Sequence, residues 1–318
     1  MNTTTAGSAR LDTITIAAAA FAIVVWSSSF AAIAYGLRAF TPAELSLLRF
    51  AIASLVLVVP VASGLVKLPP MRDWPAILAL GFSGITLYQL TLGYAMTRMS
   101  VGATAVIIAL APGVTAALAA FRLGERITTR TLTGLAIAFG GVIVITLGSG
   151  REVRFEPMAL SALVAVFASS IYFVFQKPLL ARTSTIGFTV ASIFAGTLGL
   201  VPFGFELPAK LASVPTAQLW SAAYLGIVPT IVGYLCWNFA LSRAPAAKVS
   251  SFMYVQPLIA SLIAWLCLGQ VPTAMTAIGG LLAVGGVVLT VGATRKAAVP
   301  VPAPIIARPL PRDCCTQS

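Results

Sequence analysis

The chain of 318 residues contains no histidine and few charges, since only 9% of its residues are Asp, Glu, Lys or Arg. Two of its four cysteines, Cys236 and Cys267, lie inside apolar runs, and Cys314 and Cys315 are adjacent near the end. This spacing matches neither a zinc site nor a disulfide framework, and no P-loop motif for ATP is present. We therefore expect no metal, no cofactor and no nucleotide-driven activity.

Apolar residues are abundant instead: 59% of the chain is hydrophobic and the mean hydropathy is +0.99. No soluble core of a chain this long could bury so many apolar side chains, so the surrounding solvent must be lipid. The net charge is +12, but the basic residues are scattered between apolar runs, which speaks against a nucleic-acid partner. The first apolar run exceeds a signal-peptide core, and we interpret it as a retained span.

Pro, Gly and charged residues divide the apolar sequence into segments of about 20 residues, the length that crosses a hydrocarbon layer. The predicted spans are 14–36, 43–66, 73–96, 100–121, 129–148, 157–177, 184–204, 217–240, 246–268 and 274–294. The fold class is thus an all-α integral membrane protein with ten transmembrane helices. Residues 1–13 form a polar N-terminal segment, and the Pro-rich tail 295–318 is expected to be disordered.

The distribution of Lys and Arg predicts the orientation in the membrane. With a cytoplasmic N-terminus, twelve of these residues in or next to the loops fall inside and five outside, before the tail is counted. Cytoplasmic loops carry the excess of positive charge in membrane proteins. Both termini are therefore expected in the cytoplasm.

The chain repeats itself at an offset of 145 residues. Pro112 pairs with Pro257, Gly134 with Gly279, and the Gly140-Gly141-Val142 string with 285–287. Five spans separate the copies, and an odd number turns the second copy upside down, so residues 14–148 and 157–294 are predicted to be two inverted five-helix repeats.

The eight carboxylates lie near the predicted ends of spans or outside them. They are Asp12, Glu44, Asp73, Glu125, Glu152, Glu156, Glu206 and Asp313. Proton relays through membranes usually use embedded Asp, Glu or His. A proton-coupled pump is thus disfavoured, and facilitated movement down a gradient is the simplest scheme.

Inverted repeats place a binding site near mid-membrane between the halves, so polar and aromatic residues inside spans are the candidates. The wider set includes Ser27, Ser28, Ser170 and Gln176. The predicted substrate-binding residues are Trp26, Ser29, Arg49, Tyr88, Gln89, Tyr172, Tyr234, Trp237, Asn238, Tyr254 and Gln256. Each also has a structural explanation, because Ser bonds its own helix and Tyr or Trp anchors a span end.

Arg49 and two prolines have alternative explanations of their own. A guanidinium at Arg49 is costly in a span, so it is expected to face the interior. The alternative is that it snorkels outward or braces the first span through backbone carbonyls. Pro112 and Pro257 fall in mid-span, where they are predicted as hinges that free the carbonyls of Ile108 and Met253; the alternative is a plain structural bend.

The motifs resemble the drug/metabolite transporter superfamily, specifically its ten-span members with two EamA-type repeats. The resemblance rests on residues 26–30 (WSSSF), on Pro42 to Arg49, and on the string from Pro112 through Leu123-Gly124-Glu125 to Val142, echoed from Pro257 to Val287. Gln270 stands where the second repeat usually has Glu. The resemblance implies transport of a small molecule across a bacterial inner membrane, and the bacterial aromatic amino-acid exporters are the most similar members. It also implies an aromatic wall made of Tyr88, Tyr172, Tyr234, Trp237 and Tyr254.

Other functions stay open at this point. A multidrug or other metabolite permease, such as a sugar or nucleotide carrier, has the same fold, although the chain lacks the first-span glutamate of small drug exporters. An intramembrane enzyme would need a nucleophile, a metal or an acid/base pair, and no catalytic set is visible. A non-transporting membrane scaffold would pack its polar residues without a cavity. The partners expected are the bilayer and the small-molecule substrate, and a homodimer is compatible with the sequence.

Overall fold

The computed structural model describes residues 12–98, 104, 107–148, 159–268 and 273–292, and within them the regular structure is entirely helical. The long helices of the first part are α1 (Thr13–Gly36), α2 (Pro42–Ala62), α3 (Met71–Arg98), α4 (Ala111–Leu123) and α5 (Thr129–Gly148). Those of the second part are α6 (Ala159–Leu180), α7 (Thr185–Phe203), α8 (Thr216–Arg243), α9 (Ala246–Ser251 continuing to Gln256–Leu268) and α10 (Ala274–Val291).

Nine of these helices are long and apolar enough to span a membrane within the described ranges; α4, with 13 residues, is shorter. The predicted fourth span began at residue 100, and most of its first half lies outside the described residues. Large apolar side chains cover the outer surface, among them Leu55, Phe121, Leu266 and Leu281. An exposed apolar surface of this extent fits lipid rather than water. The protein is therefore a multi-pass membrane protein.

Helices α5 and α10 pack closely because glycines line their contact. A Cβ added at Gly141 would lie 2.5 Å from the carbonyl oxygen of Gly279, and one added at Gly286 would lie 2.5 Å from that of Gly134. Small residues allow backbones to approach to this degree in membranes. The contacts are reciprocal, since 134 corresponds to 279 and 141 to 286, and their order shows that the two helices run antiparallel.

Helices α3 and α8 share an irregularity at equivalent positions. Each contains a π-helical segment, Phe82–Leu87 in α3 and Gly226–Gly233 in α8. The glycine before or at the start of each segment meets a helix of the other half: Gly81 lies against Ser192 and Ala195 of α7, and Gly226 against Arg49 and Ile52 of α2. The two halves of the chain therefore interlock.

The two predicted hinge prolines open helical segments. Pro112 lies in the first turn of α4, and Pro257 in the first turn of the Gln256–Leu268 segment, after the 3-10 turn Phe252–Val255. A serine of the other half lies at the carbonyl before each proline, and Ser170 donates to the Ala111 carbonyl at 3.2 Å. The Ser27 hydroxyl is 3.3 Å from the Gln256 carbonyl and donates at 2.7 Å to Ile23 of its own helix. The two serine hydroxyls thus lie at the carbonyls of Ala111 and Gln256, whereas the prediction concerned the carbonyls of Ile108 and Met253.

Charged groups near the helix ends are paired. Lys210 contacts Glu44 at 2.5 Å, and Arg243 contacts Asp12 at 2.6 Å. Hydrogen bonding to Glu44 raises the pKa of Lys210 above its ordinary value, while the Thr15 hydroxyl, followed by Arg243, lowers the pKa of Asp12. Both shifts favour the charged forms, so these pairs stay ionised around neutral pH.

Candidate functional site

Five aromatic side chains close a ring between α1, α6 and α8, which we name the aromatic cluster. Going round it, the ring centroids of Trp26, Tyr234, Tyr172, Phe173, Trp237 and again Trp26 are 5.6, 6.4, 6.0, 5.2 and 5.0 Å apart. Tyr172 and Trp237 are almost completely buried. Rings at these distances touch one another, so the cluster encloses no ligand-sized space in this conformation.

Each π-helical segment contains a glycine that packs against an aromatic side chain of the cluster. The indole Nε1 of Trp26 donates to the carbonyl of Pro229 at 3.0 Å, and a Cβ at Gly233 would lie 2.6 Å from that nitrogen. In the other half, a Cβ at Gly84 would collide with the side chain of Tyr172. π-Helical turns often occur at functional sites, and here each turn presents a glycine to an aromatic residue of the opposite half.

Arg49 faces the interior, as one of the two alternatives predicted. Its side chain is 4% exposed, its Nε donates to the Thr230 hydroxyl at 3.0 Å, and its guanidinium carbon lies 5.1 Å from the centroid of the Phe50 ring. No described carboxylate lies within 4.0 Å of the guanidinium. Each of the five described carboxylates pairs with another Lys or Arg; they are Asp12, Glu44, Asp73, Glu125 and Glu206. Arg49 is thus a buried cation with neutral partners.

A narrow cleft leads to Arg49 from the α1–α2 loop. It is lined by Arg49 and Gln89 at its inner end and by residues such as Leu37, Pro42 and Met96 towards its mouth. Its volume of about 20 Å³ holds roughly one water molecule and is far too small for an amino acid. The helices around it must separate before a substrate can reach Arg49 from this side.

Tyr234 connects the cleft to the aromatic cluster. Its ring packs edge-on against Phe50 with centroids 6.2 Å apart, and its polar neighbours are Arg49, Tyr88 and Gln89. Tyr88 makes no ring contact with the cluster among the described residues. The predicted residues Trp26, Arg49, Tyr88, Gln89, Tyr172, Tyr234 and Trp237 therefore occupy one continuous region.

Asn238 joins this region through hydrogen bonds. Its Nδ2 donates to the Thr189 hydroxyl at 3.0 Å and to the Tyr172 hydroxyl at 3.4 Å, and the residue is fully buried. Three predicted residues lie apart. Ser29 bonds the carbonyl of Trp26 in its own helix at 2.6 Å, Tyr254 is buried without a ring contact to the cluster, and Gln256 offers its backbone carbonyl to Ser27.

The sequence did not indicate Phe173, Thr230 or Thr189 as site residues. Each is an apolar or hydroxyl residue within an apolar span, and such residues recur at many positions of the chain. A weak signal existed for Thr230, because it follows Pro229 in mid-span, where a helix is irregular. Their contacts become evident once α2, α6, α7 and α8 are placed side by side.

A polar contact closes the opposite end of the molecule, and we name it the Glu125 cap. Gly124 ends α4 in the left-handed conformation (φ +65°), which turns the chain so that Glu125 reaches α9. The Glu125 carboxylate accepts from the backbone N–H groups of Ala246 and Ala247 at 2.9 and 3.3 Å, at the positive end of that helix. Lys177 lies 3.4 Å from the same carboxylate and donates to the Ala244 carbonyl.

A multi-pass helical membrane protein with buried polar and aromatic residues between two interlocked halves has the architecture of a transporter. The chain belongs to the EamA-like transporter family, whose pattern matches residues 13–147 and 157–292. The family belongs to the drug/metabolite transporter superfamily, so the resemblance inferred from the motifs is confirmed. The protein is a transporter and not an enzyme.

Several relatives span almost the whole chain. A "Probable terminal-alkyne amino-acid exporter" of Streptantibioticus cattleyicolor is 34% identical over 282 residues, which is 87% of this chain and 95% of that protein. A "Probable amino-acid metabolite efflux pump" of Escherichia coli is 25% identical over 280 residues, or 85% and 92% of the two chains. A solved structure titled "Crystal structure of protein" matches with a TM-score of 0.71 at 22% identity, covering 88% of this chain and 98% of that one, and so supports the fold.

Proposed function

We propose that this protein is a secondary transporter that exports amino acids, aromatic ones included, and related small metabolites across the bacterial inner membrane by alternating access. The observation that carries the proposal is Arg49, a buried guanidinium without a carboxylate partner in the described part of the chain, next to the aromatic cluster. An anion is the natural complement of such a group, and the planar carboxylate of an amino acid matches its geometry. The names of the two amino-acid exporters among the relatives support this substrate class.

The transport cycle rests on two inverted five-helix repeats, residues 14–148 and 157–294. Antiparallel packing of the equivalent helices α5 and α10 supports this arrangement, and so do the π-helical segments at equivalent positions in α3 and α8. A pseudo-two-fold axis in the membrane plane would relate the halves and exchange inside with outside.

In this scheme the two ends of the molecule open in turn. The cleft at the α1–α2 loop is the outer entrance, and the Glu125 cap closes the inner end by joining the first half to α9 of the second. Opening towards the cytoplasm would separate Glu125 from Ala246 and Ala247. Pro112 and Pro257 lie where helical segments meet, and this position suits them to act as hinges.

Transport by the purified protein in liposomes tests the substrate class. With a panel of radiolabelled amino acids, we expect Trp237→Leu to weaken transport of phenylalanine and tryptophan more than that of alanine, because it removes a wall of the aromatic cluster. Asn238→Ala should weaken transport of every substrate, because it removes the hydrogen bonds that hold the Thr189 and Tyr172 side chains. Trp220→Leu, at an exposed tryptophan of the same helix, is the matched control.

Two results would contradict this assignment. Absence of amino-acid transport by the folded wild-type protein would overturn the proposed function. Equal losses for all substrates in Trp237→Leu, at unchanged thermal stability, would restrict Trp237 to packing.

Transport is expected to need no proton gradient. The described carboxylates nearest the membrane interior, Glu44 and Asp73, lie in the first turns of their helices and are held by Lys210 and Arg182. Neither is placed to carry a proton through mid-membrane. Uptake into liposomes should equilibrate, and a pH step should change its rate little. Concentrative uptake driven by the pH step would contradict the expectation.

The orientation can be measured directly. A reporter fused after Gly150 should be read outside the cell, and one fused after Arg295 in the cytoplasm, since the excess of Lys and Arg lies on the side of the termini. The opposite reading at either position would break the arrangement of ten spans with cytoplasmic termini.

A further inference from the structure

Gln176 is a fully buried polar side chain at the end of the Ala159–Phe175 segment of α6. Neither its amide nitrogen nor its amide oxygen has a hydrogen-bond partner among the described residues. A buried amide in this state destabilises the folded protein, so a methionine or leucine would be the more stable choice for packing alone. An unsatisfied amide at this position is explained by a hydrogen-bond partner that is bound only in another state of the protein, such as a substrate.

Two further unsatisfied polar atoms lie on the neighbouring helix. The indole Nε1 of Trp237 and the Oδ1 of Asn238 are buried, and neither has a hydrogen-bond partner in the described ranges. Trp237 contacts Phe173, and Asn238 contacts Tyr172, which lie three and four residues before Gln176 and thus on the same face of α6. One donor, one acceptor and one group that can do both are gathered at this side of the aromatic cluster.

The distance to Arg49 indicates what would fill this position. Arg49 is bound to Thr230, and Trp237 lies seven residues further along α8, roughly 10 Å at the rise of a helix. A molecule bound by its carboxylate at Arg49 with its side chain in the aromatic cluster would bring the far end of a long side chain near Gln176. A polar group at that end would meet donors and acceptors, and an apolar end would leave them unsatisfied.

We propose that Gln176, with Trp237 Nε1 and Asn238 Oδ1, forms a polar subsite that selects large amino acids with a hydrogen-bonding group at the tip of the side chain, such as the phenol of tyrosine, over apolar ones such as phenylalanine. This inference rests on the proposed amino-acid transport. Sites that hydrogen-bond a hydroxyl group discriminate strongly against the analogue without it, because the site's own groups are then left without partners. The subsite acts on specificity, while Arg49 acts on all carboxylate substrates.

The test is the ratio of tyrosine to phenylalanine transport in liposomes. We expect Gln176→Met to lower this ratio roughly three- to tenfold while phenylalanine transport is kept. Trp237→Phe, which keeps an aromatic ring but removes the N–H, should lower the ratio in the same direction. Gln218→Met is the matched control, because the Gln218 Oε1 is also without a partner but lies at the other end of α8; its ratio should equal that of the wild type.

The outcomes separate the two proposals. If the wild type transports both amino acids and the ratio is unchanged in Gln176→Met and in Trp237→Phe, the polar subsite is wrong and amino-acid transport stands. If the folded wild type transports neither, the proposed function itself fails. Melting temperatures of all variants show whether a lost rate reflects unfolding, and Gln176→Met should melt at or above the wild-type temperature.

Discussion

Arg49→Met should reduce transport of amino acids by about tenfold or more, whatever their side chain. The guanidinium is the only described cation beside the aromatic cluster, and a charge-assisted hydrogen bond is worth about 1.5–3 kcal/mol. Arg49→Lys should recover part of the rate, because the charge returns without the planar fork that binds a carboxylate at two points. Initial rates in liposomes measure the effect.

Stability and substrate chemistry distinguish this role from a structural one. Removal of a buried charge held by neutral partners should leave the melting temperature in detergent unchanged or higher. Amino-acid amides, which lack the carboxylate, should be poor substrates of the wild type and no worse for the variant. Arg38→Met is the control: Arg38 is exposed over Tyr35 and lies outside the cleft. Wild-type rates in Arg49→Met, or an equal loss in Arg38→Met, would contradict the assignment.

Gly141→Val should largely prevent accumulation of folded protein. Its side chain would enter the space between α5 and α10, where an added Cβ lies 2.5 Å from the Gly279 carbonyl oxygen and 2.6 Å from the Ala283 nitrogen. Both are backbone atoms that cannot rotate away, so the two helices must separate. Overpacking of a tight contact costs at least about 1–3 kcal/mol, and here the loss extends along a whole helix pair. Yield after membrane extraction and the melting temperature measure the outcome.

The neighbouring glycine supplies the matched control for this prediction. Gly140 is the neighbouring glycine, and a Cβ there meets nothing within 4 Å, so Gly140→Val should accumulate like the wild type. The same contrast should recur in the second half, with Gly286→Val disruptive and Gly285→Val tolerated. A tolerated Gly141→Val, or a disruptive Gly140→Val, would show that α5 and α10 pack differently.

Much of the architecture was predictable because the bilayer imposes a simple rule. Apolar runs long enough to cross a membrane become helices, since backbone groups in lipid must bond within their own segment. The predicted first and second spans, for example, match α1 and α2 except at the ends. The paired glycines at 140–141 and 285–286 were evident as part of the repeat, and the structure shows that one glycine of each pair makes the contact between α5 and α10.

The site was predictable only in part. Arg49 stood out because a charge in a span is costly, and it does face the interior. Tyr254 and Ser29 were predicted together with the residues of the aromatic cluster, yet Tyr254 makes no ring contact with the cluster and Ser29 bonds its own helix. The polarity of a residue shows that it needs a partner. The direction in which a helix presents that residue depends on irregular turns, and Pro229 gives only a weak sequence signal of the turn in α8.

The amino-acid sequence by itself determined the membrane class, the internal repeat and the family, because hydropathy, spacing and motifs are properties of one segment or of two compared segments. Only the tertiary structure decided that Trp26, Tyr172, Tyr234 and Trp237 close into one cluster and that Glu125 caps a helix 121 residues further along the chain. It likewise decided that the Gln176 side chain has no hydrogen-bond partner among the described residues. These contacts join residues far apart in the sequence, and their energies depend on the rotation and crossing of whole helices, which no local pattern encodes.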